Sequence, residues 1–213
     1  MELYGFFRSS AAFRVRIALN MKGLDHRHTA VNLRSAEHRG DQYRAVNPQA
    51  RVPALVVGDE TLIQSPAIIE YLDETQPEPP LLPTKALARA RVRALANIIA
   101  CDIHPLNNSG TLDFMKEELG VDEGGIKIWY DRWVRLGFET CEALLAGHPA
   151  TGKFCHGDTP GLADIYLVPQ VFNAKRFECD LTPYPTVMRI FGSCMEIEAF
   201  DAAQPSRQAD AVG

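Results

Sequence analysis

Short apolar blocks separated by polar punctuation fill the first third of this 213-residue chain. Leu3-Tyr-Gly-Phe-Phe7 is an apolar run of strand length. After Arg8-Ser9-Ser10 the spacing turns helical from Ala11 to Lys22, with Val15, Ala18 and Leu19 on one face, Arg14, Arg16 and Asn20 elsewhere, and Gly23 as the stop. His28 to Leu33 reads as a second strand, and a short helix is expected from Glu37 to Val46. Ala54-Leu-Val-Val57 and Thr61-Leu-Ile63 read as two strands joined by the tight turn Gly58-Asp59. A further helix opens at Ser65 as N-cap with Pro66 in its first turn.

That order, β-α-β-α-β-β-α, is an α/β thioredoxin-like layout with helices on a mixed sheet, assigned to residues 1–76. Gln76-Pro-Glu-Pro-Pro-Leu-Leu-Pro83 carries four prolines, which forbid regular helix or sheet, so residues 77–84 read as a linker. Beyond it the strand signals vanish. Long helices are expected over Lys85–Leu119 and Glu123–Ala146, shorter ones near Leu162–Lys175 and Pro185–Phe200, making 85–213 an all-α domain. The tail from Ala202 to the terminal glycine reads as frayed.

Charge and cysteine usage narrow the classes. A net charge of −5 gives no basic field for nucleic acid. No apolar run is long enough to span a bilayer, and the opening strand leaves no room for a signal peptide, so no membrane association is expected. The odd set Cys101, Cys141, Cys155, Cys179 and Cys194 has no C-x-x-C spacing, which speaks against zinc or a disulfide framework and for a reducing cytosol. His26 and His28 alternate on a strand without carboxylate or thiol partners, so no metal is expected.

The helix beginning at Gln64-Ser65 presents unpaired amides and a positive dipole end where a carboxylate can dock. Upstream, Arg51-Val52-Pro53 enters a strand through a proline, and a cis Val52–Pro53 bond would leave the Val52 backbone facing outward.

Arg8-Ser9-Ser10 leading into Arg14-Val-Arg-Ile-Ala-Leu19, Asn47-Pro48, Val52-Pro53 and Gln64-Ser65 closely resemble the zeta class of the glutathione transferase superfamily. The resemblance continues through Asp102-Ile-His104-Pro-Leu-Asn107-Asn108, Gly157-Asp158, Ala163-Asp164, Leu167-Val-Pro-Gln-Val171, Asn173-Ala-Lys-Arg176-Phe and Asp180-Leu-Thr-Pro-Tyr-Pro185, covering roughly residues 1 to 200. It implies the glutathione transferase fold, glutathione as cofactor and a homodimer. It also implies cis–trans isomerisation by thiolate addition, bond rotation and elimination. The class isomerises maleylacetoacetate, the first substrate expected, or maleylpyruvate, the second. The competing class is a glutathione-binding protein without isomerase activity, or a weak transferase.

Residue by residue, the resemblance implies that Ser9, or Ser10 in its place, donates a hydrogen bond to the glutathione sulfur and lowers its pKa. The alternative is that both serines only cap the first helix. Gln64 and Ser65 are expected at the γ-glutamyl end, the Val52 backbone alongside the cysteinyl backbone, and His38 and Gln49 towards the glycyl end. Asp102, His104 and Asn108 are further glutathione candidates, some of them reaching a neighbouring subunit's site, although His104 before Pro105 could simply mark a kink. Arg8 and Arg176 are expected to bind substrate carboxylate, since a guanidinium fork matches that group; a solvated surface arginine is the alternative. For Arg14 and Arg16, a solvated or structural role is expected.

Three positions depart from the zeta pattern. Ala11 replaces the usual cysteine, which argues against chemistry needing a protein thiol there; Gly110 replaces an arginine frequent in bacterial relatives. Gly161 replaces the Ser/Thr of a helix-starting box, and Asp164 is expected to reach back to its backbone so that the helix survives.

Overall fold

In the computed structural model, which describes residues 1–211, the chain forms two compact units: Met1–Leu81 together with the segment from Met195, and Leu82–Cys194. The terminal Val212 and Gly213, the end of the tail read as frayed, lie outside the described residues.

The first unit holds a four-stranded sheet of β1 (Glu2–Gly5), β2 (Arg27–Ala30), β3 (Ala54–Val57) and β4 (Glu60–Ile63), ordered β2-β1-β3-β4. β1 and β2 are parallel, while β1–β3 and β3–β4 are antiparallel, giving the expected mixed sheet. Helices α1 (Ser10–Met21), α2 (Asp41–Val46) and α3 (Ser65–Thr75) complete the order, with a 3-10 turn at Glu37–Arg39 ahead of α2. Gly23 takes a positive φ of 63° just past α1, the left-handed turn that releases a chain from a helix.

Helix α1 departs from the expected one-sided pattern. Ala12 to Leu19 are buried all round, and Arg14 and Arg16 are each only 2 % exposed. The reason lies at the other end of the chain. Arg16 Nε donates to the Ala203 carbonyl at 3.0 Å, and Asn20 Nδ2 donates to the Ala199 carbonyl at 3.0 Å. The segment from Met195, with α10 (Glu198–Asp201), thus covers the polar side of α1, and Ala203 and Pro205 are buried there. The tail from Ala202 to Ala211 is therefore not frayed.

Nor is the proline-rich stretch a free tether. Buried Lys22 donates its ammonium to Asp73 Oδ1, the Gln76 carbonyl and the Pro79 carbonyl at 2.7, 2.7 and 2.6 Å, and Asp73 Oδ1 also accepts from the Leu81 amide at 2.9 Å. Three of these bonds hold residues 76–81 against Lys22 and Asp73.

The second unit contains α4 (Ala86–Asn97), α5 (His104–Asn107), α6 (Ser109–Glu117), α7 (Glu123–Leu145), α8 (Leu162–Arg176) and α9 (Pro185–Met195, whose last residue belongs to the first unit). The continuous helix expected over Lys85–Leu119 is broken. Pro105 has no N–H to offer one turn back, and upstream of it Ile98–Ile103 winds as a π-turn, with the His104 amide reaching the Ile99 carbonyl five residues back. Helix α7 passes close to this turn at Gly137, where a Cβ would lie 2.2 Å from Ile103 Cδ1. Helix α8 is the interior of the unit, buried on all sides from Leu162 to Val171. Asp164, 1 % exposed, starts it: its carboxylate accepts from the Gly161 amide and the Cys155 amide, both at 2.9 Å. Glycine supplies no hydroxyl, so only the Asp164 half of a capping box exists. The helix survives as expected.

Candidate active site

The first unit gathers its candidates along one rim, where β1, the loop before β3 and the start of α3 end. Ser9 sits at the N-cap of α1. Its N–H bonds back to the Phe6 carbonyl at 2.9 Å, its carbonyl accepts from Phe13 at 2.8 Å, and its hydroxyl oxygen accepts from the Ala12 amide at 3.2 Å. The serine is thus a cap, and the hydroxyl proton is still available to donate. Ser10, the first helical residue, is 6 % exposed. The first amides of the helix lack partners within it, so negative charge is welcome beside Ser9.

Arg8 is exposed, its guanidinium carbon 5.1 Å from the Phe7 ring centroid. Arg34 approaches the same ring at 5.7 Å. Sequence reasoning did not single out Arg34; nothing in a separation of 26 positions signals that it shares a ring with Arg8.

The loop before β3 is built around Asn47, 1 % exposed. Its side-chain oxygen accepts from the Gln49 amide at 3.0 Å and its Nδ2 donates to the Arg51 carbonyl at 2.6 Å, to which the Tyr43 hydroxyl also donates at 2.7 Å. Val52 follows, half-buried, with a cis bond to Pro53. It lies outside the sheet ladder, and among the described residues its amide and carbonyl find no backbone partner. Asn47 and Tyr43 escaped assignment from the sequence, though a buried asparagine next to proline is the signal of a side chain organising a turn.

Helix α3 starts one residue earlier than expected. Gln64, not Ser65, occupies the cap position, in a left-handed conformation with φ 69°, and makes no side-chain bond to the helix. Ser65 is the first helical residue, 3 % exposed, and Pro66 the second. This start is uncapped, so its remaining amides suit a carboxylate. Gln64 Nε2 donates to Gln49 Oε1 at 2.7 Å, joining two of the expected glutathione ligands. His38 lies half-buried on the 3-10 turn Glu37–Arg39.

In the second unit, Asp102 is exposed on the π-turn and His104 half-buried at the start of α5. Asn108 caps α6, accepting from the Thr111 amide at 3.2 Å and donating to the Pro105 carbonyl at 2.5 Å. A Cβ at Gly110 would sit 3.3 Å from Asn108 Oδ1, so the glycine leaves that cap uncrowded. Arg176, exposed at the end of α8, lies 4.6 Å from the Phe177 ring, which stacks on Tyr130 at 3.9 Å. A cavity of about 500 Å³ in this unit is lined by Leu87, Arg91, Leu95, Leu144, His148 and His156, and includes none of the candidate residues.

Four of the chain's own thiols are poor nucleophiles. Burial pushes Cys141 and Cys179 up to about 12, and Cys155 and Cys194 well above the usual thiol range. Among the described residues, no group of three or more His, Cys, Asp or Glu is arranged to hold a metal ion. No helix of the described residues is long and apolar enough to cross a membrane.

Comparison with known proteins bears directly on this rim. Residues 1–74 match the family model for the glutathione S-transferase N-terminal domain. A maleylpyruvate isomerase from a Ralstonia species is 51 % identical over the full length of both chains. The holo structure of a maleylpyruvate isomerase, described as a bacterial zeta-class glutathione S-transferase, superimposes with a TM-score of 0.98 at 50 % identity, covering 100 % of each chain. The chain belongs to the zeta class of the glutathione S-transferases. A structure of maleylacetoacetate isomerase from Methylobacterium extorquens AM1, with bound malonate and glutathione, matches at 39 % identity and a TM-score of 0.96, again covering 100 % of both chains. The β2-β1-β3-β4 sheet, the serine pair at the start of α1 and the uncapped start of α3 all lie in the first unit, which holds the residues matched by the glutathione S-transferase N-terminal domain.

Proposed function

We propose that this zeta-class protein is a glutathione-dependent cis–trans isomerase of a maleyl substrate. Full-length similarity to isomerases of this kind is the observation that carries the reading. The Ralstonia relative and the structure at TM-score 0.98 favour maleylpyruvate as the first substrate to test, with maleylacetoacetate second. Glutathione, when bound, supplies the thiolate that adds to the double bond, allows rotation and leaves again.

This chain's residues do the rest. The Ser9 hydroxyl donates to the glutathione sulfur, with Ser10 as the alternative, and the positive end of α1 favours the anion. Burial raises the thiol pKa of Cys141, Cys155, Cys179 and Cys194, which makes these four weak nucleophiles beside an activated glutathione thiol. The start of α3, with Ser65 and Gln64, takes the γ-glutamyl carboxylate; Val52 pairs its free backbone groups with the peptide; Gln49 and His38 lie towards the glycyl end. Asp102, His104 and Asn108 are assigned to glutathione from the helical second unit, Leu82–Cys194, which also carries the electrophile side. Arg8 and Arg176 bind substrate carboxylate. The working form is a cytosolic homodimer.

The test is direct. Purified protein is mixed with maleylpyruvate or maleylacetoacetate, with and without glutathione, and the loss of cis substrate is followed. Turnover that requires glutathione, with at least one of the two, is expected. Tight glutathione binding by calorimetry with no turnover of either would make this a binding protein or weak transferase instead.

A further inference from the structure

The tail of the chain reaches the segment that carries Ser9. Phe7 lies beyond the end of β1 at Gly5, so its backbone groups have no place in the sheet ladder and need other partners. Two distant side chains supply them. Asp210 Oδ2 accepts from the Phe7 amide at 2.9 Å, across 203 positions of sequence. Arg16 donates through a terminal guanidinium nitrogen to the Phe7 carbonyl at 3.0 Å, and through Nε to the Ala203 carbonyl.

These groups form one unit. Asp210 attracts the buried Arg16 guanidinium, and its other oxygen lies 3.9 Å from His28 Nε2. Phe7 is 6 % exposed and Arg16 2 %, so the Arg16 bonds form away from bulk water, where they are strongest, and the Asp210 bond is partly shielded from it. From Phe7 the chain has two residues to reach Ser9, about 7 Å of extended backbone at most. Ser9 is tied back to Phe6 at 2.9 Å. A shift of the Phe7 peptide therefore passes to the Ser9 hydroxyl with little slack.

We propose that Asp210 and Arg16 are positioning residues for Ser9, and that the C-terminal tail is a working part of the thiol site. This rests on the role given to Ser9 above. A hydroxyl that stabilises a thiolate acts through hydrogen-bond geometry, which weakens steeply with misalignment. Holding both polar groups of Phe7 fixes where that hydroxyl points.

The test uses full-length Asp210→Ala, Asp210→Asn and Ser9→Ala, and a chain ended after Gln208 that removes the carboxylate while keeping the Arg16–Ala203 bond. The thiol of bound glutathione is titrated by its thiolate ultraviolet absorbance, and kcat and KM are measured. Asp210→Ala is expected to raise that thiol pKa and to lower kcat at neutral pH about tenfold, with KM for glutathione nearly unchanged. Asp210→Asn keeps an oxygen that can accept from Phe7, and most of the activity should return with it. A wild-type titration and kcat in folded Asp210→Ala, or in the shortened chain if the substitution folds poorly, overturns the inference. So does an activity loss that tracks only the folded fraction while the titration stays put. If Ser9→Ala leaves the titration unmoved, the role of Ser9 falls; if Ser9→Ala moves it and Asp210→Ala does not, only the role of the tail falls.

Discussion

The Ser9 hydroxyl has one oxygen and one proton, and the fold commits only the oxygen, to the Ala12 amide. Capping and thiol activation, which look like rivals in the sequence, therefore draw on different atoms. Ser9→Ala should raise the pKa of bound glutathione, lower the rate at neutral pH, and cost about 1 kcal/mol of stability for the lost cap. A normal thiolate titration with isomerisation intact would leave Ser9 as a cap and pass the role to Ser10. Arg8→Ala should act differently, raising KM for the maleyl substrate. Losing a charge-assisted bond costs about 1.5–3 kcal/mol, roughly ten- to a hundredfold in kcat/KM. Steady-state kinetics of the two variants side by side separate thiol activation from substrate binding. At this scale the sequence nominates residues by their chemical type, and two of those nominees, Gln49 and Gln64, meet in the structure. The sequence was a poor guide to the residues behind them. Asn47 and Tyr43, which shape the loop carrying Gln49 and Val52, form that loop only through a chain turn that brings the Arg51 carbonyl to them both.

Elements were legible where apolar blocks were short and punctuated. All four strands and the three main helices of the first unit fall within a few residues of expectation, since Gly58-Asp59, Gly23 and the prolines mark their ends. The exceptions have physical causes. The apolar spacing runs through Ile98–Ile103 as if α4 continued, but Pro105 withdraws an amide and the chain answers with a π-turn. Gln64 turns left-handed and takes the cap position that Ser65 was expected to hold. At α8 the outcome follows the expectation closely, and it carries a prediction. Asp164 satisfies one buried and one partly buried amide, so Asp164→Ala orphans both and should cost about 2–5 kcal/mol, read as a lower midpoint in urea unfolding. Gly161→Ser, adding the missing hydroxyl, should gain only a few tenths of a kcal/mol. A midpoint for Asp164→Ala equal to wild type would mean that water replaces the carboxylate at the helix start.

For the whole molecule, the prediction concerns assembly. Light scattering at micromolar concentration should give twice the 23.6 kDa chain mass; a mass equal to one chain would count against the homodimer and against any role for Asp102 or His104 in a neighbouring subunit's site. What sequence patterning could not reach at this scale is the burial of Arg14 and Arg16. Periodicity compares a residue with its neighbours on one helix, whereas the cover over α1 comes from the far end of the chain. That separation has a consequence in the order of synthesis. Arg16 leaves the ribosome 187 residues before Ala203, which at roughly 5–20 residues per second is a wait on the order of 10–40 s. Through that interval the sheet and helix α1 can assemble, but the arginine stays without the Ala203 carbonyl and the Asp210 carboxylate, on a surface open to chaperones. The unit made first is finished last.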